Sequence, residues 1–428
     1  MNLFETIIFY IFIVTGAFNM LHLGFYLIGA NIYDIKQFKR QSRQPKRKRN
    51  RLQPLVTVVI PAHNEELVIE RCLESIRKNT YRKVEVIVHD DRSTDTTASI
   101  VRRYQRQYPH MALRLISRRH QSGKASGVNY AIKKYAQGEL IMTLDADCVL
   151  HKRALKRAVD YFVDPNVVGV AANVRIMDGT SILTLLQKFE HMIGYRSKKF
   201  YTLSNSEFIV GGVASTYRRD VLNRVKLYDT DTITEDIGLS MKIVASSPKH
   251  QRIVYAADVV AATEGVESFK GLLRQRYRWK MGMLQNLVKY RHLAGKVNKQ
   301  QSLSLTLYRL PVAFLGEVLL LIQPLVLLYA IYLSFTYQTF GLFVGAYMTI
   351  TLYVLWTIWP DEHSNTTHKL LMSFYAPVMY FIFYIMDFVQ TVAVIRCLAN
   401  PRQILRKTND NGSWVSPQRQ GKQQASFS

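Results

Sequence analysis

Residues 6–30 contain no Asp, Glu, Lys or Arg, and a helix of about 25 such residues spans a hydrocarbon core roughly 30 Å thick. No other feature restricts the fold so strongly, because such a segment is either a transmembrane helix or a cleaved leader. A leader has its positive residues ahead of the apolar run and closes on a small-residue cleavage site. Here the basic residues follow the run, so a transmembrane helix is predicted. The same composition returns from Leu307 to Leu398, in three blocks: Leu310 to Phe335, Phe340 to Trp359, and Leu370 to Cys397. The roughly 250 residues between the two apolar parts suit a single polar domain.

The formal charge of +26 is distributed unevenly. Lys36, Lys39, Arg40, Arg43, Lys46, Arg47, Lys48, Arg49 and Arg51 crowd behind the first helix. Positive loops stay on the cytoplasmic side, which predicts a multi-pass protein of the plasma membrane with its central domain in the cytosol. Beside a membrane helix, a polybasic run suits anionic lipid headgroups. No recognition module for nucleic acid accompanies it. The three cysteines, Cys72, Cys148 and Cys397, lack metal-ligand spacing and fit a reducing compartment as structural thiols. The expected organisation is a transmembrane helix (1–35), a polybasic linker (36–53), an α/β domain with interfacial helices (54–295), a second membrane and interfacial region (296–400) and a polar basic tail (401–428).

Within the central domain, strand and helix patterns alternate. A buried run, Val56 to Ile60, is halted by Pro61 and followed by apolar residues at helical spacing. The pattern repeats with Val84 to Val88, then with LRLISRR, the loop QSGKASG and the helix VNYAIKKYA, and a fourth strand ends in LDADC. This predicts a parallel βαβ sheet covered on both faces. Ligands of such sheets bind outside the carboxyl ends of the strands, where His63 to Glu66, Asp90 to Asp95 and Asp145 to Asp147 collect.

Three carboxylate groups carry chemistry. Asp145 and Asp147 flank one small residue, a pair of hard oxygen donors suited to Mg²⁺ or Mn²⁺ beside a substrate phosphate. Asp90 and Asp91 could accept a uracil imide or a ribose hydroxyl, while Ser93, Thr94 and Asp95 could simply cap a helix. Glu235 and Asp236 follow Thr234, another candidate cap, and either could be a general base for an acceptor hydroxyl. Spacing alone does not choose between cap and base.

PAHNEE, DDRSTD, GKASGVN, DADC, TED and QRYRW, in this order, resemble the inverting family-2 glycosyltransferases of GT-A fold, specifically the membrane-embedded processive synthases. Q-x-x-R-W, here Gln275, Arg278 and Trp279, is the most specific of these motifs. The stretch YDTDTITEDIGLSMKI with GLLRQRYRW after it looks most like the bacterial poly-β-1,6-N-acetylglucosamine synthases. The resemblance implies a UDP-sugar donor, probed by Asp90 and Asp91 at the uridine and by Lys124 along the donor. It implies Asp145 and Asp147 at the diphosphate and its Mg²⁺ or Mn²⁺, Asp236 as catalytic base, and Glu235, Gln275, Arg278 and Trp279 at diphosphate and acceptor. Gly211 and Gly212 fall where the family has a glycine loop beside the acceptor. Arg92 stands in place of the usual glycine of D-D-G-S, and His89 is also atypical, which brings the turn geometry into question.

The implied function is processive extension of a β-linked polysaccharide from UDP-N-acetylglucosamine, with export of the growing glycan. Alternatives are a single transfer to a membrane lipid, or synthesis of another polymer such as hyaluronan or cellulose. Membrane lipids are expected partners, and the resemblance admits a small membrane accessory subunit. If all three C-terminal blocks cross the membrane, Arg396, Arg402, Arg406 and Lys407 end outside, against the charge rule. An interfacial or re-entrant first block, which carries Pro311, Glu317 and Pro324, would restore the parity. MLQNLVKYRHL and the collar Arg274, Arg276 and Lys280 could lie at the interface, and Trp356, Tyr375, Tyr380 and Tyr384 either line a glycan path or face lipid.

Overall fold

The computed structural model describes residues 3–43, 53–179, 181–338, 340–405, 419 and 421–425. Helix α1 (Leu3–Arg43) runs without a break from the apolar segment into the first basic residues. Lys46 to Arg51 lie outside the described residues. Arg40 turns toward the central domain. Its guanidinium sits 4.0 Å from the ring centre of Tyr161 and donates to the carbonyl of Asp160.

The central domain is built on one eight-stranded sheet. Its first half follows the predicted βαβ alternation: β1 (Val56–Ala62), α2 (Ile69–Arg77), β2 (Val84–Asp90), α3 (Thr97–Gln107), β3 (Leu113–Ser117), α4 (Lys124–Tyr135) and β4 (Leu140–Thr143). Every side chain of β1 and β4 is buried, as continuous apolar strands between two helical layers require. Pro61 does not end β1. It pairs with His89 of β2, while β4 has already stopped opposite Val59, so the missing N–H falls where no neighbouring strand needs it.

The second half departs from the parallel expectation. It comprises β5 (Val149–Leu150), α5 (Ala154–Tyr161), β6 (Val167–Ile176), α6 (Ile182–Leu203), β7 (Ser215–Arg218), α7 (Arg219–Arg224), α8 (Glu235–Ser246), β8 (Arg252–Thr263) and α9 (Phe269–Lys289). The strand order is β3-β2-β1-β4-β7-β6-β8-β5. β7 is antiparallel to both β4 and β6, and β5 is antiparallel to β8. The parallel rule failed here because β7 is not the last strand of a βαβ crossover: α6 turns back before it, and β7 enters between β4 and β6 from the other end.

Beyond α9 lie α10 (Leu310–Thr336), α11 (Phe340–Ile358), α12 (Thr366–Leu398) and the short α13 (Pro401–Leu405). By length and composition Glu5–Arg40, Ser304–Thr336 and Phe381–Leu398 could cross a membrane, and Val344–Ile358 is a shorter apolar helix. α10 is continuous, with one proline at its start and Pro324 inside it. Both ends of α12 touch the central domain. At the first, His368 lies 3.9 Å from Asp178, next to the Arg175–Asp361 ion pair of the preceding connection. Beyond the second, Gln403 of α13 accepts from the Tyr277 hydroxyl and the Gln285 amide of α9. α1 is fixed to the domain by Tyr33, whose hydroxyl donates to the Tyr255 carbonyl, and by the Lys199–Asp34 pair. Trp356 is exposed on α11, and Tyr375 is half-buried in the cluster joining α6, α11 and α12. The side chain of Tyr380 is outside the described residues. All three cysteines are buried free thiols.

Candidate active site

The end of β4 and the start of α8 place the carboxylates, and one cation gathers them. Lys124, the first residue of α4, sets its ammonium 2.8 Å from Asp145 and 3.1 Å from Glu235. Gly212 closes the group: a Cβ there would lie 3.2 Å from the Lys124 nitrogen, 3.6 Å from an Asp236 oxygen and 3.9 Å from an Asp145 oxygen. Residues separated by more than a hundred positions thus share one pocket wall. Gly211 meets nothing within 4 Å. A separate cavity of about 410 Å³, lined by Tyr33, Arg175, His191, Lys199 and Asp361 among others, contains none of the expected site residues.

The charges in this group are tuned unequally. Burial raises the Asp236 carboxyl, the neighbouring Glu235 charge raises it further and Lys124 opposes both, leaving it at about 6. Burial would also raise Asp145, but the Lys124 ammonium outweighs it, with Arg419 and Arg278 adding to the pull, and Asp145 stays below its ordinary value. Asp236 therefore holds a proton more readily than its neighbour. That Arg278 acts on Asp145 at all puts the Q-x-x-R-W arginine within electrostatic reach of the D-x-D pair.

Asp147 faces a different set of partners. Its oxygens accept from the Cys148 thiol and the Thr263 hydroxyl, and one lies 2.6 Å from the Arg419 guanidinium. Asp90 accepts from the Ser93 amide, while Asp91, fully buried, accepts from the Ser122 amide and hydroxyl and the Gly123 amide. Asp91 therefore holds the loop that delivers Lys124. Ser93, Thr94 and Asp95 stitch the β2 loop to the β1 loop through Asn64 and Glu66, and Asp95 also accepts from the Thr97 amide at the start of α3. Arg92 takes the left-handed conformation, φ 64°, that a glycine would adopt without strain. The turn is kept despite the substitution. His89 is fully buried beneath α4, against Gly127, where any Cβ would strike its ring at 2.5 Å.

In α9 the four alternate basic residues separate by helical geometry. Two residues correspond to about 200°, so Arg276 and Lys280 share one side and Arg274 and Arg278 the other. Arg276 is buried, paired at 2.5 Å with Glu190 of α6 and stacked 4.3 Å from the Trp279 ring centre. Lys280 pairs with Glu317 of α10 at 3.0 Å. These two are internal braces, not an interfacial collar, because a buried arginine requires a partner. Arg274 and Arg278 are exposed. The Gln275 amide oxygen is buried without a hydrogen-bond partner among the described residues. The expected interfacial stretch after Trp279 instead packs on the domain, where Lys289 holds Asp229 and Asp231.

Sequence reasoning missed the residues that aim the acidic pair. Thr234 precedes α8 but makes no capping bond with its side chain; its hydroxyl oxygen accepts from Asn286. Gln285 accepts from the Ile233 amide, and Gly282 lies so close that a Cβ would fall 2.3 Å from Thr234. Arg278, Gly282 and Gln285 stand at i, i+4 and i+7, a helix-face pattern present in the sequence but lacking any sign of its partner.

A sheet that is parallel in its first half and mixed in its second, with acidic residues converging at the strand ends, defines a GT-A-like α/β transferase. The sequence model described as "Glycosyltransferase like family 2" matches residues 53–282. The chain belongs to that glycosyltransferase family. It is 27% identical over 378 residues to a poly-β-1,6-N-acetyl-D-glucosamine synthase of Staphylococcus epidermidis, covering 85% of this chain and 87% of that one. It is 31% identical over 230 residues to the synthase of Staphylococcus aureus strain COL, covering 53% of this chain and 54% of the relative. Among solved structures, a mannosyltransferase from Pyrobaculum calidifontis, in complex with GDP-Man and Mn²⁺, superposes with TM-score 0.57 at 22% identity, covering 91% of this chain and 98% of that one.

Proposed function

We propose that this glycosyltransferase uses UDP-N-acetylglucosamine, with inversion, to extend a β-linked polysaccharide on the cytosolic face of the plasma membrane. The observation that carries the reading is the convergence of Lys124, Asp145, Glu235 and Asp236 around Gly212. The relatives named above supply the sugar.

In this reading Asp236, ionised above pH about 6, takes the proton of the acceptor hydroxyl. The freed oxygen attacks the anomeric carbon opposite the diphosphate, the C–O bond to UDP breaks, and an α-linked donor gives a β-linkage. Lys124 and Arg278 meet the charge that grows on the leaving diphosphate. Gln275 offers its unpartnered amide oxygen to a sugar hydroxyl, Trp279 presents a ring to the acceptor, and Asp90 lies at the uridine end. Asp91 acts through the Ser122–Gly123 turn that it holds.

No group of three or more His, Cys, Asp or Glu side chains arranged for a metal occurs among the described residues. Asp145 and Asp147 nevertheless suit Mg²⁺ or Mn²⁺, since both are hard oxygen donors whose charge the chain already offsets with cations, Lys124 and Arg419. They would hold the ion, which would supply neutralisation of the diphosphate.

Three crossings, by α1, α10 and α11, account for the membrane part, with α12 lying along the interface. Its 33 residues measure about 50 Å, and contacts to the domain at both ends support a course along the surface rather than away from it. Arg396 and Arg402 then remain on the cytosolic side, as the charge rule asks. In this reading the third block takes the interfacial place that the sequence offered to the first, although its stretch Phe381–Leu398 is itself apolar enough to cross.

The test is incubation of membranes with radiolabelled UDP-N-acetylglucosamine. Long polymer that disappears in Asp236→Asn, with UDP binding retained, is expected. A chloroform-soluble product would replace processive synthesis by a single transfer to lipid, and no incorporation from any UDP-sugar would refute the reading.

A further inference from the structure

The last described residues of the chain return to the carboxylate cluster. Arg419 places one guanidinium nitrogen 2.6 Å from Asp147 and others 3.1 and 3.3 Å from the two oxygens of Glu65. Neither carboxylate is open to water: Asp147 is 5% exposed and Glu65 2%. A buried carboxylate requires a counter-charge, and at Asp147 this one comes from the tail.

Beyond Arg419 the tail is anchored at three further residues. Gly421 turns with φ 68°, a conformation that other residues adopt only with strain, and donates its amide to Glu264. Gln423 bonds reciprocally to the backbone of Gly265, accepting from its amide at 2.8 Å and donating to its carbonyl at 3.0 Å, and donates also to Glu267. Arg71 ties the arrangement together, bonding Glu264, the carbonyl of Gln423 and the carbonyl of Asp147. Gln424 then forms a backbone bridge to Asp178. These contacts are polar, so water can take their place as the segment leaves, and a cation can take the place of Arg419 on Asp147. Among its described residues the segment is seated by polar groups alone.

We propose that the tail is a built-in competitor for the donor site, in which the guanidinium of Arg419 stands where a divalent cation must sit on Asp147. The inference rests on the reading of Asp147 as a cation ligand. Arginine and the ion cannot share the same carboxylate oxygen, so cation and donor load only as the tail withdraws, and the tail re-seats when they leave. The device guards an idle site against metal and nucleotide, and its set point is the strength of the seating contacts.

The test uses the full chain in lipid nanodiscs, with Mn²⁺ alone as probe and free Mn²⁺ read by electron paramagnetic resonance. Arg419→Ala removes the competitor, and Gln423→Ala removes an anchor while keeping the guanidinium. Both should bind Mn²⁺ roughly tenfold more tightly than the parent, the equivalent of about 1.4 kcal/mol, and Asp147→Asn should abolish that binding. In the parent, Mn²⁺ with UDP should speed tryptic cleavage after Arg419, followed by mass spectrometry. Equal or weaker Mn²⁺ binding in both tail variants, with Asp147 still required, overturns the tail's role and leaves the cation site standing. Mn²⁺ binding that ignores Asp147→Asn, or no Mn²⁺ binding in any variant, overturns both.

Discussion

Replacing Asp236 by Asn should stabilise the protein while it destroys transfer. The carboxyl of Asp236 is raised from 3.8 to about 6 by burial and by Glu235. At 1.36 kcal/mol per decade, holding it ionised at neutral pH costs the fold a ceiling of about 3 kcal/mol. Asp236 is only partly buried, and solvent screening brings this to roughly 2 kcal/mol. Asn keeps the oxygen that accepts from the Ile237 amide and removes the charge. The sign fixes the pH dependence: a raised carboxyl favours the fold below its unfolded value, and that contribution is lost as pH rises through about 6. In nanodiscs, followed by intrinsic fluorescence, Asp236→Asn should therefore melt roughly 4–8 °C above the parent at pH 7.5. The gap should close as pH falls toward 4. A gain independent of pH, or a loss at pH 7.5, would refute the view that this residue is held ionised at the expense of stability.

Two further substitutions probe the supports of the site. Gly282→Ala drives a methyl into Thr234 and should push α9 from the start of α8, lowering kcat by roughly tenfold or more; unaltered turnover of radiolabelled donor would show that this approach is not needed. Arg92→Gly relieves a left-handed residue and should raise stability by about 1 kcal/mol with activity unchanged, measured as the shift in melting temperature; an unchanged or lower melting point would mean that the arginine is not strained there.

The positions of Asp90 and Asp145 were legible because they stand at strand ends, and strand ends can be read from runs such as Val56–Ile60 that admit no polar residue beyond a single threonine. The extension of β1 through Pro61 was not, since it depends on where β4 stops. Nor was the reversal at β7, a four-residue strand whose neighbours are chosen by the whole sheet. Charge patterning read Arg276 and Lys280 as surface residues because their partners, Glu190 and Glu317, are far away in sequence. Asn286 and Thr234 lie 52 positions apart for the same reason. The contacts of Arg419 left no trace in composition or period, because they join residues 354 and 272 positions apart.

The bracing of α9 bears on how such an enzyme can be handled. Its inner side is held by Glu190 within the central domain, and by Glu317 and Gln403 from beyond residue 300. A soluble fragment ending near residue 295 would leave Lys280 without its carboxylate and Gln285 without its acceptor, on the helix that carries Arg278. Detergents that loosen α10 would act on the same helix from a distance. If α10 crosses a bilayer and Arg278 serves the donor as proposed, bilayer thickness and lipid composition become variables of catalysis, and turnover measured in one membrane need not carry over to another.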